Sequence, residues 1–112
     1  MRTIKTKADF DAIIGEGGER LLLFYSAWCP FCTSFLPIFK KAAAANPAAF
    51  AEVCVDDLPM LEDIFSIEVV PTALYFKDKS LKSRLDGELG LGLNAENLDA
   101  FVRSSGTAGK KP

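Results

Sequence analysis

The chain has 112 residues, enough for one domain that buries roughly two-thirds of the surface exposed by its unfolded chain. Its 49% hydrophobic and 25% charged residues are typical of a globular protein, and its 13 basic and 15 acidic residues are interspersed, so no basic face predicts nucleic-acid binding. It contains no histidine, which excludes Ser/His and Cys/His catalytic pairs, and no segment approaches the ~18 apolar residues that a membrane span needs.

The first half of the chain alternates strand and helix. The pattern predicts a short strand at 4–6, a helix at 7–14 and, after a glycine-rich loop, a second strand at 21–25. The second strand is continuously apolar, which is typical of a central strand covered on both faces. A long helix is predicted at 33–46, with a kink at Pro37 because proline cannot donate the helical hydrogen bond.

The second half ends in a hairpin and a helix. The predicted elements are a strand at 51–55, a short helix from about Pro59 to Phe65, antiparallel strands at 73–76 and 81–85, a glycine-rich loop at 86–93, a helix capped by Asn94, and a flexible polar tail at 107–112. This order predicts an α/β fold, with a central mixed five-stranded sheet and helices on both faces.

The most informative motif is Trp28-Cys29-Pro30-Phe31-Cys32, between the second strand and the long helix. Cys29 is thereby predicted at a helix N-terminus, where unpaired N–H groups and the helix dipole favour a negative charge and so the nucleophilic thiolate. Cys32 lies one turn further along, close enough to form a disulfide with Cys29. The motif predicts a redox site, with a pair of inert core cysteines as the alternative.

The remaining cysteine, Cys54, makes an odd total of three. One redox pair and one odd thiol are typical of a reducing compartment. Cys54 is predicted to be a small buried residue of the third strand, since a regulatory role would require exposure. Three cysteines without histidine fall short of a four-ligand zinc site, so no metal and no cofactor are expected; an iron–sulfur cluster bridged between two chains is the alternative.

The N-terminal residues lack the apolar core of a secretory signal, which predicts a cytoplasmic location. A signal already removed would leave the same sequence.

The chain resembles the thioredoxin family over about residues 3–104. The features that carry the resemblance are the Cys29-Pro30-Phe31-Cys32 motif after a buried strand, Pro37 in the following helix, Val70-Pro71-Thr72 just before a strand, and Gly87 after the hairpin. The resemblance implies a thioredoxin fold over residues 1–106 and a thiol–disulfide oxidoreductase activity.

The same resemblance implies a role for each matching residue. Cys29 would attack a substrate disulfide, and Cys32 would resolve the mixed disulfide. A cis bond at Pro71 would leave the backbone of Val70 free to pair with an extended substrate; a trans turn proline is the alternative. The residues expected to meet the substrate are Trp28, Pro30, Phe31, Val70, Pro71, Thr72 and Gly87, with ordinary packing as the alternative for Trp28 and Phe31.

The chain departs from the family at two places. The dipeptide Pro30-Phe31 is closer to glutaredoxins than to the usual Gly-Pro, which leaves the preferred direction of exchange open. The buried aspartate of the family, six positions before the first cysteine, is Leu23 here, and the family's lysine on the third strand aligns with Glu52. We hypothesise that Glu52 is buried behind Cys32 and accepts its proton, with an exposed glutamate at a strand end as the alternative.

The resemblance therefore implies a cofactor-free enzyme that reduces protein disulfides, takes electrons from a separate reductase and acts as a monomer, without nucleic-acid or membrane partners. One alternative is a glutaredoxin-like or more oxidising disulfide oxidoreductase or isomerase. The other is a thioredoxin-fold binding module, which would bind its partners equally well after Cys29→Ser.

Overall fold

The computed structural model describes residues 1–105, so the predicted tail at 107–112 lies outside the described residues. Its strands are β1 (Arg2–Ile4), β2 (Glu19–Tyr25), β3 (Phe50–Cys54), β4 (Thr72–Lys77) and β5 (Ser80–Asp86). They form one sheet in the spatial order β1-β3-β2-β4-β5. The first three strands in this order are parallel, whereas β4 and β5 are antiparallel to their neighbours. The predicted mixed five-stranded sheet is confirmed.

Helices cover both faces of this sheet, as predicted. They are α1 (Lys7–Gly15), α2 (Pro30–Ala43), α3 (Pro59–Ile64) and α4 (Ala95–Ser105), with a short 3-10 helix at Pro47–Ala49. α1 and α3 pack on the face that carries Leu22 and Phe24, and α2 and α4 pack on the face that carries Leu21 and Leu23. Because side chains alternate along a strand, the apolar run of β2 supplies both cores. No helix within residues 1–105 is long and apolar enough to cross a membrane.

The residues at the helix N-termini explain two differences between the predicted and observed element boundaries. β1 ends at Ile4, and Thr6 caps α1 in a capping box with Asp9. α2 begins three residues earlier than predicted, at Pro30, whose fixed backbone angle suits the first position of a helix. Pro37 lies inside α2, and the kink expected there stays a prediction.

One end of the sheet gathers the segments that the sequence analysis singled out. Phe24 pairs with Thr72, which in turn pairs with Asp86. On the other side of β2, Tyr25 pairs with Cys54. The loops that follow β2, β3 and β5 and the loop that precedes β4 therefore meet at this end, which we call the site end.

Candidate active site

Cys29 is the N-cap residue of α2, directly before Pro30. The backbone N–H groups of Cys32 and Thr33 both donate to the Cys29 carbonyl, each at 3.1 Å. The Cys29 side chain is half-buried, and its thiol lies 3.6 Å from the carbonyl oxygen of Val70. Cys29 thus combines an accessible thiol with a position at the N-terminus of a helix.

Cys32 differs from Cys29 in exposure, since only 1% of its surface meets solvent. Burial raises the pKa of the Cys32 thiol to about 12. The contact with Cys29 and the negative charge of Asp56 also raise this pKa, whereas the backbone N–H of Ser26, which donates to the sulfur at 3.5 Å, lowers it. Cys32 is therefore protonated near neutral pH. The pair combines an accessible thiol with a shielded one, and all three cysteines are free thiols.

The segment before β4 faces Cys29. The Val70–Pro71 peptide bond is cis, and Val70 is half-buried. The hydroxyl of Thr72 donates to the Val69 carbonyl and accepts from the backbone N–H of Gly87 at 3.4 Å. Thr72 thereby ties this segment to the end of β5.

The predicted substrate-contacting residues differ in exposure, with Val70 between the two extremes. Trp28, Pro30 and Phe31 are exposed. Pro71, Thr72 and Gly87 are buried in the free protein, and their contact with substrate stays a prediction. The hydroxyl of buried Thr72 forms hydrogen bonds within the protein. Gly87 packs directly against the Pro71 carbonyl.

Glu52 lies at the centre of β3, between Thr3 of β1 and Leu23 of β2. Its side chain is half-buried, and its carboxylate accepts a hydrogen bond from the Thr3 hydroxyl at 2.9 Å. The expectation that Glu52 is buried is therefore wrong, since its side chain is only half-buried. Its place at mid-strand also differs from the strand-end alternative. A role as proton acceptor stays a prediction.

Asp56, just beyond β3, is a carboxylate that the sequence analysis missed. It accepts hydrogen bonds from the Ser26 hydroxyl at 3.1 Å, the Ala27 N–H at 3.2 Å and the Cys54 thiol at 3.5 Å. Cys54 is half-buried rather than buried, since its side chain reaches this carboxylate. Two successive acids directly after the third strand were the available sequence signal. Asp56 holds the turn that carries Ser26, whose N–H meets Cys32.

Two exposed leucines, Leu89 and Leu91, were also missed. They lie in the loop between β5 and α4, where Gly92 packs against Phe31. The sequence did contain a signal for them. Leucines alternate with glycines in a segment that has neither helical nor strand periodicity, so no predicted element would bury these leucines.

Comparisons with known proteins agree with this geometry. The family model described as Thioredoxin matches residues 2–104. Among curated relatives, Thioredoxin from Geodia cydonium is 31% identical over 94 residues, which cover 80% of this chain and 89% of the relative. Thioredoxin Y2, chloroplastic, from Arabidopsis thaliana is 29% identical over 98 residues, which cover 85% of this chain and 59% of the relative.

The structural comparison gives the same family. The X-ray structure of Fasciola hepatica thioredoxin superposes with a TM-score of 0.80 at 28% identity, covering 91% of this chain and 96% of that one. The chain spans little more than half the length of some curated relatives, 59% for the Arabidopsis protein and 56% for one from Streptomyces coelicolor.

Proposed function

Because the chain belongs to the thioredoxin family, we propose that it is a thiol–disulfide oxidoreductase that reduces protein disulfides. The observation that carries this proposal is the difference between its two neighbouring thiols. Cys29 is accessible at the N-terminus of α2, whereas Cys32 is shielded and has its pKa raised to about 12. Dithiol–disulfide exchange requires one thiol that attacks the substrate and a second thiol that later resolves the mixed disulfide.

In this mechanism the Cys29 thiolate attacks one sulfur of the substrate disulfide. The substrate S–S bond breaks, a mixed disulfide forms on Cys29, and the second substrate sulfur leaves as a thiolate that takes up a proton. Cys32 then loses its proton and attacks the Cys29 sulfur. A Cys29–Cys32 disulfide forms and the other substrate sulfur leaves, so the substrate gains two electrons and the enzyme pair loses two.

The substrate is proposed to bind as an extended segment beside Val70. The Val70 carbonyl lies 3.6 Å from the Cys29 sulfur, so a chain paired with the backbone here brings its cysteine to the nucleophile. Exposed Trp28 and Phe31 supply the apolar contacts. Pro71 presents no N–H to the bound chain.

A separate reductase is proposed to regenerate the dithiol. The protein is proposed to act as a monomer in the cytoplasm, where it would contribute to electron transport and cell redox homeostasis. An odd total of three cysteines supports a reducing compartment. Pro30-Phe31 between the cysteines makes the direction of exchange the property to measure first.

The test is the redox equilibrium of the Cys29–Cys32 pair at pH 7 in a glutathione or dithiothreitol buffer, followed by Trp28 fluorescence. We expect a potential near the roughly −270 mV typical of thioredoxin. A potential above about −200 mV would overturn the reductant proposal in favour of an oxidant or isomerase. Cys54→Ser is the matched control and should leave the potential unchanged.

A further inference from the structure

The loop of residues 87–93, here called the leucine loop, is closed on itself. The backbone N–H of Glu88 donates to the Gly92 carbonyl at 3.1 Å, and the Gly92 N–H donates back to the Glu88 carbonyl at 2.7 Å. Gly90 and Gly92 have φ angles of +82° and +72°, which favour glycine. The loop therefore has a defined shape that fixes where its side chains lie.

Both ends of the leucine loop rest on the active site. A Cβ on Gly87 would lie 2.4 Å from the Pro71 carbonyl oxygen, and a Cβ on Gly92 would lie 2.7 Å from the Cβ of Phe31. The loop thus contacts the cis-proline segment at one end and the Cys29–Cys32 motif at the other. The residues between these contacts border the site.

Those residues present large apolar side chains to solvent. Leu89 is 85% exposed and Leu91 is 68% exposed, and Trp28 in the cysteine motif is 87% exposed. Four of the seven large apolar residues exposed within residues 1–105 belong to the leucine loop or the cysteine motif: Trp28, Phe31, Leu89 and Leu91. Such a concentration of exposed apolar side chains marks an interaction site.

The charged side chains at the site end are mostly acidic, although Lys40 lines the same pocket as Cys32. Residues 42–76, which include the loops after β3 and before β4, contain six acidic residues and no lysine or arginine. Asp56, Asp57 and Glu68 of this stretch are exposed, as is Glu88 in the leucine loop. Arg84, on β5, is bonded to Asp86 and to the Phe65 carbonyl. A partner of positive charge is therefore favoured.

We propose that Leu89 and Leu91, with Trp28 and Phe31, bind the polypeptide that flanks the reacting disulfide of a protein partner whose flanks carry apolar and basic residues. This inference rests on the proposed function and names the substrate class of the same site. The leucines hold the flanking chain, whereas Cys29 and Cys32 carry out the exchange. A small disulfide without flanking chain gains nothing from them.

The test compares wild-type protein with the double variant Leu89→Ser/Leu91→Ser. The substrates are three disulfide peptides of equal length, with apolar–basic, apolar–acidic or polar neutral flanks, and oxidised glutathione as a small disulfide. We expect kcat/KM for the apolar–basic peptide to fall roughly tenfold to a hundredfold, through KM, because two leucine contacts are lost. Reduction of oxidised glutathione should be unchanged.

The matched control is Leu81→Ser, which removes an exposed leucine from β5 at the opposite end of the sheet. It should leave all four substrates unaffected. The wild-type preference for basic over acidic flanks should diminish as salt is added.

Equal rates for wild-type and double-variant protein on the apolar–basic peptide would overturn the inference. A preference for acidic flanks, or an equal loss in Leu81→Ser, would also overturn it. Wild-type protein that reduces neither peptides nor oxidised glutathione would overturn the proposed function, and this inference with it.

Discussion

The two ends of the sheet are built differently. At the end where β2 begins, which we call the far end, several charged or polar side chains are paired. Glu16 accepts from both Arg2 and Arg20 at 2.8 Å, and Glu19 accepts from the Tyr75 hydroxyl at 3.1 Å. At the site end, the aromatic ring of Trp28 and the leucines of the leucine loop lie open to solvent.

The difference indicates what each end is for. Charged groups at the far end are paired within the folded chain, although the buried Nε atoms of Arg2 and Arg20 have no hydrogen-bond partner. Exposed apolar groups at the site end are stabilised only when something covers them. Substitutions at the far end should therefore change stability and leave exchange intact. Substitutions of the exposed apolar side chains at the site end should change exchange first.

The largest effect should come from the nucleophile. Cys29→Ser removes the attacking sulfur, so reduction of a disulfide peptide should fall to the rate without protein. Cys32→Ser should instead accumulate a mixed disulfide on Cys29, visible by mass spectrometry. Glu16→Gln at the far end is the control and should retain full turnover. Turnover by Cys29→Ser would refute the assignment of the nucleophile.

Alanine substitutions at two glycines, Gly87 and Gly15, should change the free energy of unfolding in opposite directions. Gly87→Ala places a Cβ 2.4 Å from the Pro71 carbonyl oxygen, so the backbone must shift, and we expect a loss of about 1–3 kcal/mol in the free energy of unfolding. Gly15→Ala, at the end of α1, meets no described atom within 4 Å and should gain up to about 1 kcal/mol. Urea unfolding measures both, and equal stabilities would contradict the contact at Gly87.

Substitution of Asp56 tests how a nearby negative charge affects the pKa of the Cys32 thiol. Asp56→Asn removes the negative charge that raises the pKa of Cys32, but keeps an oxygen for the Ser26 hydroxyl and the Ala27 N–H. The pKa of Cys32 should therefore fall relative to the same background that retains Asp56. Thiolate absorbance against pH measures it in a background where Cys29 and Cys54 are serine.

Asp56→Ala is the comparison for that variant. It removes the charge and also releases the turn that holds the Ser26 N–H against Cys32, a contact that lowers the pKa. The pKa should therefore fall less in Asp56→Ala than in Asp56→Asn. Identical titrations for the two variants would mean that the anchoring of Ser26 has no effect on Cys32.

Glu52→Gln tests the proton acceptor predicted from the sequence. Because the Glu52 carboxylate is hydrogen-bonded to Thr3 and is partly open, we expect the rate and pH profile of mixed-disulfide resolution to remain unchanged. That result would make the Glu52 prediction wrong. A slower resolution step with an altered pH profile would support it.

The sequence predicted what is encoded locally. The apolar run of β2 and the cysteine spacing identified the central strand, the order of elements and the two thiols. The two acids after the third strand were visible in the sequence, but the contact of Asp56 with Ser26 was not, because it depends on the pairing of Cys54 with Tyr25. The predicted burial of Glu52 was wrong because it rested on an alignment with the family, which does not determine how exposed this side chain is in the folded chain.

The smallest effect should be the pH dependence of the far end. Hydrogen bonds from Arg2 and then Arg20 lower the pKa of Glu16 from 4.5 to about 2. Since the folded pKa is the lower one, the stabilisation is present above about pH 4.5 and is lost as the pH falls towards 2. Glu16→Gln should therefore be slightly less stable than wild type at pH 6.

The two proteins should converge in stability near pH 2, and added salt should reduce the difference at pH 6 because Glu16 is exposed. Thermal unfolding at the two pH values measures this, and disulfide reduction by Glu16→Gln should stay at the wild-type rate. If Glu16→Gln lost exchange activity as well as stability, the far end would affect the cysteines. The claim that the far end contributes only to stability would then be wrong.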